Sequence, residues 1–264
     1  MYEQIAANKR KTFLLITFFF LVVIGLGWFI GVYMGYGYWV FVLAVGYSII
    51  SALISYYQGD KIALKTSGAQ KIKEENFPEL YRLVENLTIT AGMPMPDVYV
   101  IDSPALNAFA TGRNPENASI AVTTGLIRKL EDEELEGVLA HELSHIENYD
   151  ILIMTLTVVL VGTIALLADL FLRMRIFGFG GNGERKNGVM AIIGLVLILV
   201  SPIIAQLIKL AISRKREYLA DASAVDLTRY PEGLASALEK ISSADKQLDT
   251  ASSATAHLFI SNPF

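Results

Sequence analysis

Two apolar stretches near the N-terminus, residues 12–37 and 38–57, carry no formally charged side chain, and only Gly35-Tyr36-Gly37-Tyr38 joins them. Each reaches the roughly 20 residues that an α-helix needs to cross a bilayer. Inside hydrocarbon the backbone must satisfy its own hydrogen bonds, which restricts such stretches to helices, and the short connection makes them a transmembrane hairpin. The first stretch follows Lys9-Arg10-Lys11. That is how a signal peptide begins, but the apolar run is longer than an h-region and no small-residue cleavage site follows, so it reads as an uncleaved anchor. The joining turn has no Lys or Arg, whereas Lys9 to Lys11 lie before the hairpin and Lys61, Lys65, Lys71 and Lys73 after it. The positive-inside rule then puts the N-terminus and the chain after Tyr57 in the cytoplasm.

Hydrophobic residues make up 53% of the chain and the mean hydropathy is +0.45, values of a membrane protein with a substantial soluble part. A net charge of −4 leaves no basic field, so no nucleic-acid partner is expected; the partners expected are the lipid bilayer and protein or peptide substrates. The absence of Cys excludes disulfides and thiolate metal ligands.

A later apolar pair is less clear-cut. Residues 151–172 hold Asp169 near their end, and 189–212 hold Pro202, Gln206 and Lys209. Their charge-free runs of about 18 and about 20 residues are long enough to span. The loop between them carries Arg173, Arg175, Arg185 and Lys186, which favours the cytoplasm, yet one crossing from a cytoplasmic His145 would put it outside. A membrane-inserted hairpin is the expectation, and a soluble hairpin packed on the catalytic domain is the second arrangement. Four segments result: residues 1–60, the N-terminal hairpin; 61–150, the first part of a catalytic domain; 151–212, the second hydrophobic hairpin; and 213–264, the rest of the catalytic domain.

Between the hairpins, residues 77–90 read as a helix with Pro78 near its start, Leu80, Val84 and Leu87 on one face, and Gly92 beyond its end. Residues 97–101 and 119–123 read as strands, 109–111 as a third short strand, and Gly112, Arg113, Asn114 and Pro115 as a polar loop. Further on, Pro231 starts a helix over 232–244 with Leu234, Leu238 and Ile241 on its apolar face, and 245–253 form a loop.

Chemistry concentrates in His141-Glu142-Leu143-Ser144-His145. Acidic residues 131–134 precede it, and Leu135, Val138, Leu139, Leu143 and Ile146 recur at helical spacing. On a helix, histidines four apart share a face and can bind one ion, with Glu142 beside them to take a proton from water. A catalytic zinc holds three protein ligands and keeps one position open, so a third ligand is needed. In Arg214-Lys215-Arg216-Glu217-Tyr218-Leu219-Ala220-Asp221 the two carboxylates are four apart: Glu217 could bind metal while Asp221 accepts the free N–H of a liganding His. An ordinary charged helix surface would show the same pattern. His257, in an apolar Leu-Phe-Ile setting, suits packing more than catalysis.

These residues carry a resemblance to the HtpX-like membrane zinc metallopeptidases, relatives of the CaaX prenyl proteases. It rests on Asn107-Ala108-Phe109-Ala110-Thr111-Gly112, on His141 to His145, on Ser213-Arg214-Lys215-Arg216-Glu217-Tyr218-Leu219-Ala220-Asp221, and on Thr255-Ala256-His257-Leu258-Phe259-Ile260. The resemblance implies one zinc ion per chain bound by His141, His145 and Glu217, with Glu142 as the base. The implied fold is mainly α: the N-terminal hairpin plus a zincin-like α+β catalytic domain interrupted by the second hairpin. It also favours Asn107, Ala108 and Phe109 as an exposed strand edge that pairs with an extended peptide, where pattern alone suggests a hairpin loop. Such proteins continue past the pair that here is Asn262-Pro263 into a stretch with a His-Pro pair, and no residue of this sequence corresponds to it. The activity implied is endoproteolysis of misfolded membrane proteins in quality control, in a multi-pass protein of a bacterial-type cytoplasmic membrane whose active site faces the cytoplasm. CaaX-type processing of prenylated proteins, or a non-catalytic module with a structural zinc, are the rival readings.

Overall fold

The computed structural model describes residues 2–34, 37–176, 214–244 and 255–260. The helix expected over 189–212 and the loop over 245–253 therefore lie outside the described residues, as do the side chains of Asp169 and His257.

Helices α1 (Tyr2–Met34) and α2 (Tyr38–Thr66) pack against each other. Both outrun their apolar stretches: α1 begins ahead of Lys9, and α2 continues through Asp60 and Lys61 because Ala63 and Leu64 are buried in the protein. Leu15, Phe19 and Val23 of α1 join them, while Phe13, Leu21, Trp39, Leu43 and Ile50 are exposed on the opposite faces. Among the described residues one helix, Phe41–Thr66, is long and apolar enough to cross a membrane.

A four-stranded mixed sheet follows, in the order β1 (Gln70–Lys71), β2 (Asp97–Ile101), β4 (Asn117–Thr123), β3 (Ala108–Asn114). Strands β2 and β4 run parallel, and β3 turns back antiparallel on β4 as the edge. The segment expected as a polar loop is mostly strand. Pairing with β4 extends β3 to Asn114, and Gly112 makes this possible with φ 145°, where an added Cβ would collide with the Asn117 carbonyl.

Helix α3 (Pro78–Ala91) has Pro at its first turn and left-handed Gly92 at its end, and it buries Leu80, Val84 and Leu87. After a short α4 (Thr124–Lys129) comes α5 (Asp132–Glu147), which opens with a capping box in which Glu134 accepts the Glu131 N–H at 2.9 Å. Glu134 also accepts from Ser236 at 2.5 Å and Lys240 at 2.7 Å of α8 (Pro231–Ser242). The two helices approach so closely at Gly137 that an added Cβ would lie 2.7 Å from the Leu234 nitrogen.

Only Asn148 and Tyr149 separate α5 from α6 (Asp150–Ile176); Tyr149 takes φ 60°, and the axes diverge by 83°. Residues 151–161 of α6 are all buried, packed by α1, α2 and β3. Over these turns the apolar side chains that suggested a membrane span are covered by protein. Helix α7 (Arg214–Thr228) then lies along α5.

Candidate metal centre

Helix α5 runs through the core, so both histidines are placed by packing. Leu139, Leu143 and Ile146 are buried beside them, and His141, Glu142 and His145 are each at most 3% exposed. The imidazoles meet edge to face, Nε2 to Nε2 at 3.2 Å. From α7, Glu217 Oε2 lies 3.6 Å from His141 Nε2 and 3.7 Å from His145 Nε2. Donor atoms around a tetrahedral ion bound at about 2.0–2.2 Å stand about 3.3–3.6 Å apart, so this triangle fits one face of such a site. Two imidazoles and a carboxylate are also a zinc donor set. Among the described residues these three form the group and no fourth joins them. Glu217 keeps a side chain 47% exposed, which leaves the site open on the α7 side.

Each ring is held from behind. His141 Nδ1 lies 2.9 Å from Asp221 Oδ1, and His145 Nδ1 lies 3.1 Å from Asp150 Oδ2. Such contacts fix which ring nitrogen faces a metal. Burial disfavours a charged His145, but Asp150 and Glu217 outweigh it and raise its pKa to about 10; His141 is likewise raised against burial by Asp221 and Glu217. Burial would lift Glu217, yet hydrogen bonds to the two rings hold it well below the usual carboxylate range. The anionic groups that favour protons on these rings equally favour a cation between them. Glu142 is pushed up by burial, with the histidines and the Ala110 peptide N–H pulling the other way.

A model of peptidase family M48 matches residues 74–264. The chain belongs to this family. Proteins named Protease HtpX homolog align with the M48 chain over its whole length. The one from Caldanaerobacter subterraneus subsp. tengcongensis is 47% identical and covered to 90% of its length, and that from Tropheryma whipplei (strain Twist) 46% and 89%. The Listeria monocytogenes (strain HCC23) protein is 43% identical, covered to 91%.

Of the residues singled out as a strand edge in this M48 chain, Asn107 precedes β3 and ties it to β4: its N–H donates to Thr123 Oγ1 at 3.0 Å and its carbonyl accepts the Thr123 N–H at 3.0 Å. Ala108 and Phe109 are fully buried. The Ala108 carbonyl accepts the Ile260 N–H at 3.2 Å, and the Phe109 ring meets Phe259 edge-on at 5.1 Å, so the segment Thr255–Ile260 covers this end of the edge. Gly112 donates its N–H to Thr155 Oγ1 at 3.0 Å.

Asp150 had no signal as a site residue beyond being acidic at the start of a helix five positions after His145. Asn8 has no local pattern to mark it, and Arg216, though inside the 214–221 motif, has nothing in its spacing that points to Asp150. Both are buried, with Asn8 Nδ2 2.6 Å and Arg216 Nε 3.6 Å from Asp150 Oδ1.

Proposed function

We propose that this chain is a membrane-anchored zinc endopeptidase whose site lies at the cytoplasmic face. The observation that carries the reading is the donor triangle of His141, His145 and Glu217, with sides of 3.2, 3.6 and 3.7 Å and Glu142 buried next to it. When bound there, zinc supplies Lewis acidity, which polarises a carbonyl and makes water a better acid. Glu142 takes the proton of the attacking water and passes it to the leaving amine, and its buried setting raises its pKa towards that of a useful acid and base. Asp221 and Asp150 keep the two rings turned towards the ion.

Large exposed hydrophobic side chains on α1 and α2, among them Leu14, Trp28, Trp39, Leu43 and Leu53, support the membrane anchor. Orientation follows from α1: Asn8 reaches Asp150 at the metal centre, so the site shares a side with Lys9-Arg10-Lys11, which the positive-inside rule assigns to the cytoplasm. Substrates reaching such a site are proteins exposed at the cytoplasmic surface of the membrane, misfolded membrane proteins included.

Metal content and casein proteolysis of purified wild type, Glu142→Gln and Glu217→Ala test the reading. Glu142→Gln is expected to keep zinc and lose turnover by about 10²–10⁴-fold. Undiminished proteolysis in that variant, or normal zinc binding by Glu217→Ala, overturns the assigned roles.

A further inference from the structure

Asn8 is a polar residue of α1 and is fully buried. Its amide NH2 makes two hydrogen bonds to the segment linking α5 to α6: 2.9 Å to the Asn148 carbonyl and 2.6 Å to Asp150 Oδ1. The other carboxylate oxygen, Asp150 Oδ2, faces His145 Nδ1 at 3.1 Å. Lys9, the next residue, lies over the Tyr149 ring at 4.7 Å. The start of the N-terminal helix thus grips the bend from which Asp150 projects.

A carboxylate 1% exposed is held by few contacts, and each one decides where its two oxygens point. Arg216 approaches Oδ1 at 3.6 Å, too far for a hydrogen bond, and its guanidinium nitrogens have no hydrogen-bond partner among the described residues. The Asn8 amide thus gives Oδ1 a directional hydrogen bond that Arg216 does not, and without it the carboxylate is free to turn towards Arg216 and move Oδ2 away from His145. Arg216 immediately precedes Glu217, so the carboxylate stands between the backbone segments that carry two of the proposed ligands.

We propose that Asn8 is a positioning residue of the metal centre: its amide, on the N-terminal helix, sets the Asp150 carboxylate and through it the ring of His145. The inference rests on the reading of His141, His145 and Glu217 as zinc ligands. It makes the anchor helix a working part of the site as well as a tether. Loss of the group that hydrogen-bonds a metal-ligating His weakens metal binding by roughly 10–100-fold, and Asn8, which acts through that group, is expected to give an effect at the lower end of that range, about 10-fold.

The test uses the full chain in detergent, with Asn8→Ala and the nearly isosteric Asn8→Leu, which keeps α1 packed without the amide. Phe13→Ala, on an exposed face of the same helix, is the control. Zinc affinity is measured by chelator competition, and the visible absorption bands of the cobalt-substituted protein report ligand geometry. The expected result is zinc binding weakened about 10-fold in folded Asn8 variants, with altered cobalt bands and kcat falling more than KM, while Phe13→Ala matches wild type. Wild-type affinity and an unchanged cobalt spectrum in either folded Asn8 variant overturn the role of Asn8. A wild-type protein that binds no zinc overturns the ligand reading instead, so the two failures are distinct.

Discussion

Asp150 Oδ2 stands 3.1 Å from His145 Nδ1 although an 83° change of helix direction separates the two residues. The left-handed Tyr149 at the bend allows five residues of sequence to bring a carboxylate behind the ring. His141 has its own carboxylate, Asp221, but Asp150 is 1% exposed whereas the Asp221 side chain is 39% exposed.

That asymmetry separates two substitutions. Asp150→Asn and Asp221→Asn should each weaken zinc binding by roughly 10–100-fold in chelator titrations. Asp150→Asn should also lower the melting temperature, because it strips the buried Arg216 of its neighbouring anion, a class of loss worth about 3–5 kcal/mol. Asp221→Asn should leave the melting temperature nearly unchanged.

Gly137 sets the spacing of α5 and α8. Gly137→Ala places a methyl group against the Leu234 backbone and should destabilise the fold by about 1–3 kcal/mol in chemical denaturation, despite the better helix propensity of alanine.

Glu134 links stability to pH. Burial would raise its pKa, but Lys240, Ser236 and the Glu131 N–H together lower it below its ordinary 4.5. Its stabilising contribution is full above that ordinary value and disappears as pH falls through the lower value of the folded state. Lys240→Met should therefore reduce stability at pH 7 by about 1 kcal/mol and flatten the acid side of a melting-temperature profile below about pH 4.5.

Thr155 satisfies two groups at once, the Gly112 N–H and the Thr111 hydroxyl, at 3.0 and 2.8 Å. Thr155→Val keeps the shape and leaves both without that partner, at a cost of about 1–3 kcal/mol for each buried donor left unsatisfied. Hydrogen exchange of the Gly112 amide should accelerate in the variant.

Local signals made much of this legible. The repeat of Leu135, Val138, Leu139 and Leu143 marks α5, and Pro78 and Gly92 bracket α3, because these features act within one or two turns. The ends of β3 were not legible: Gly112 and Asn114 have turn chemistry, and pairing with β4 across the sheet outweighs it. Strand β1, two residues long, has no pattern to read. For α6, hydropathy registers burial but not whether protein or lipid does the burying. The link from Asn8 to Asp150 spans 142 positions and depends on three elements meeting, which no local pattern encodes.

The edge strand has a wider consequence. An edge strand with a free row of peptide groups invites another copy of the same strand, and sheets joined this way aggregate. Along β3 that row is interrupted at Ala108 by Ile260, at Ala110 by Glu142 and at Gly112 by Thr155. Three stops at alternate residues leave no continuous template for self-association, so the chain can keep a strand at the margin of its sheet without gluing one molecule to the next.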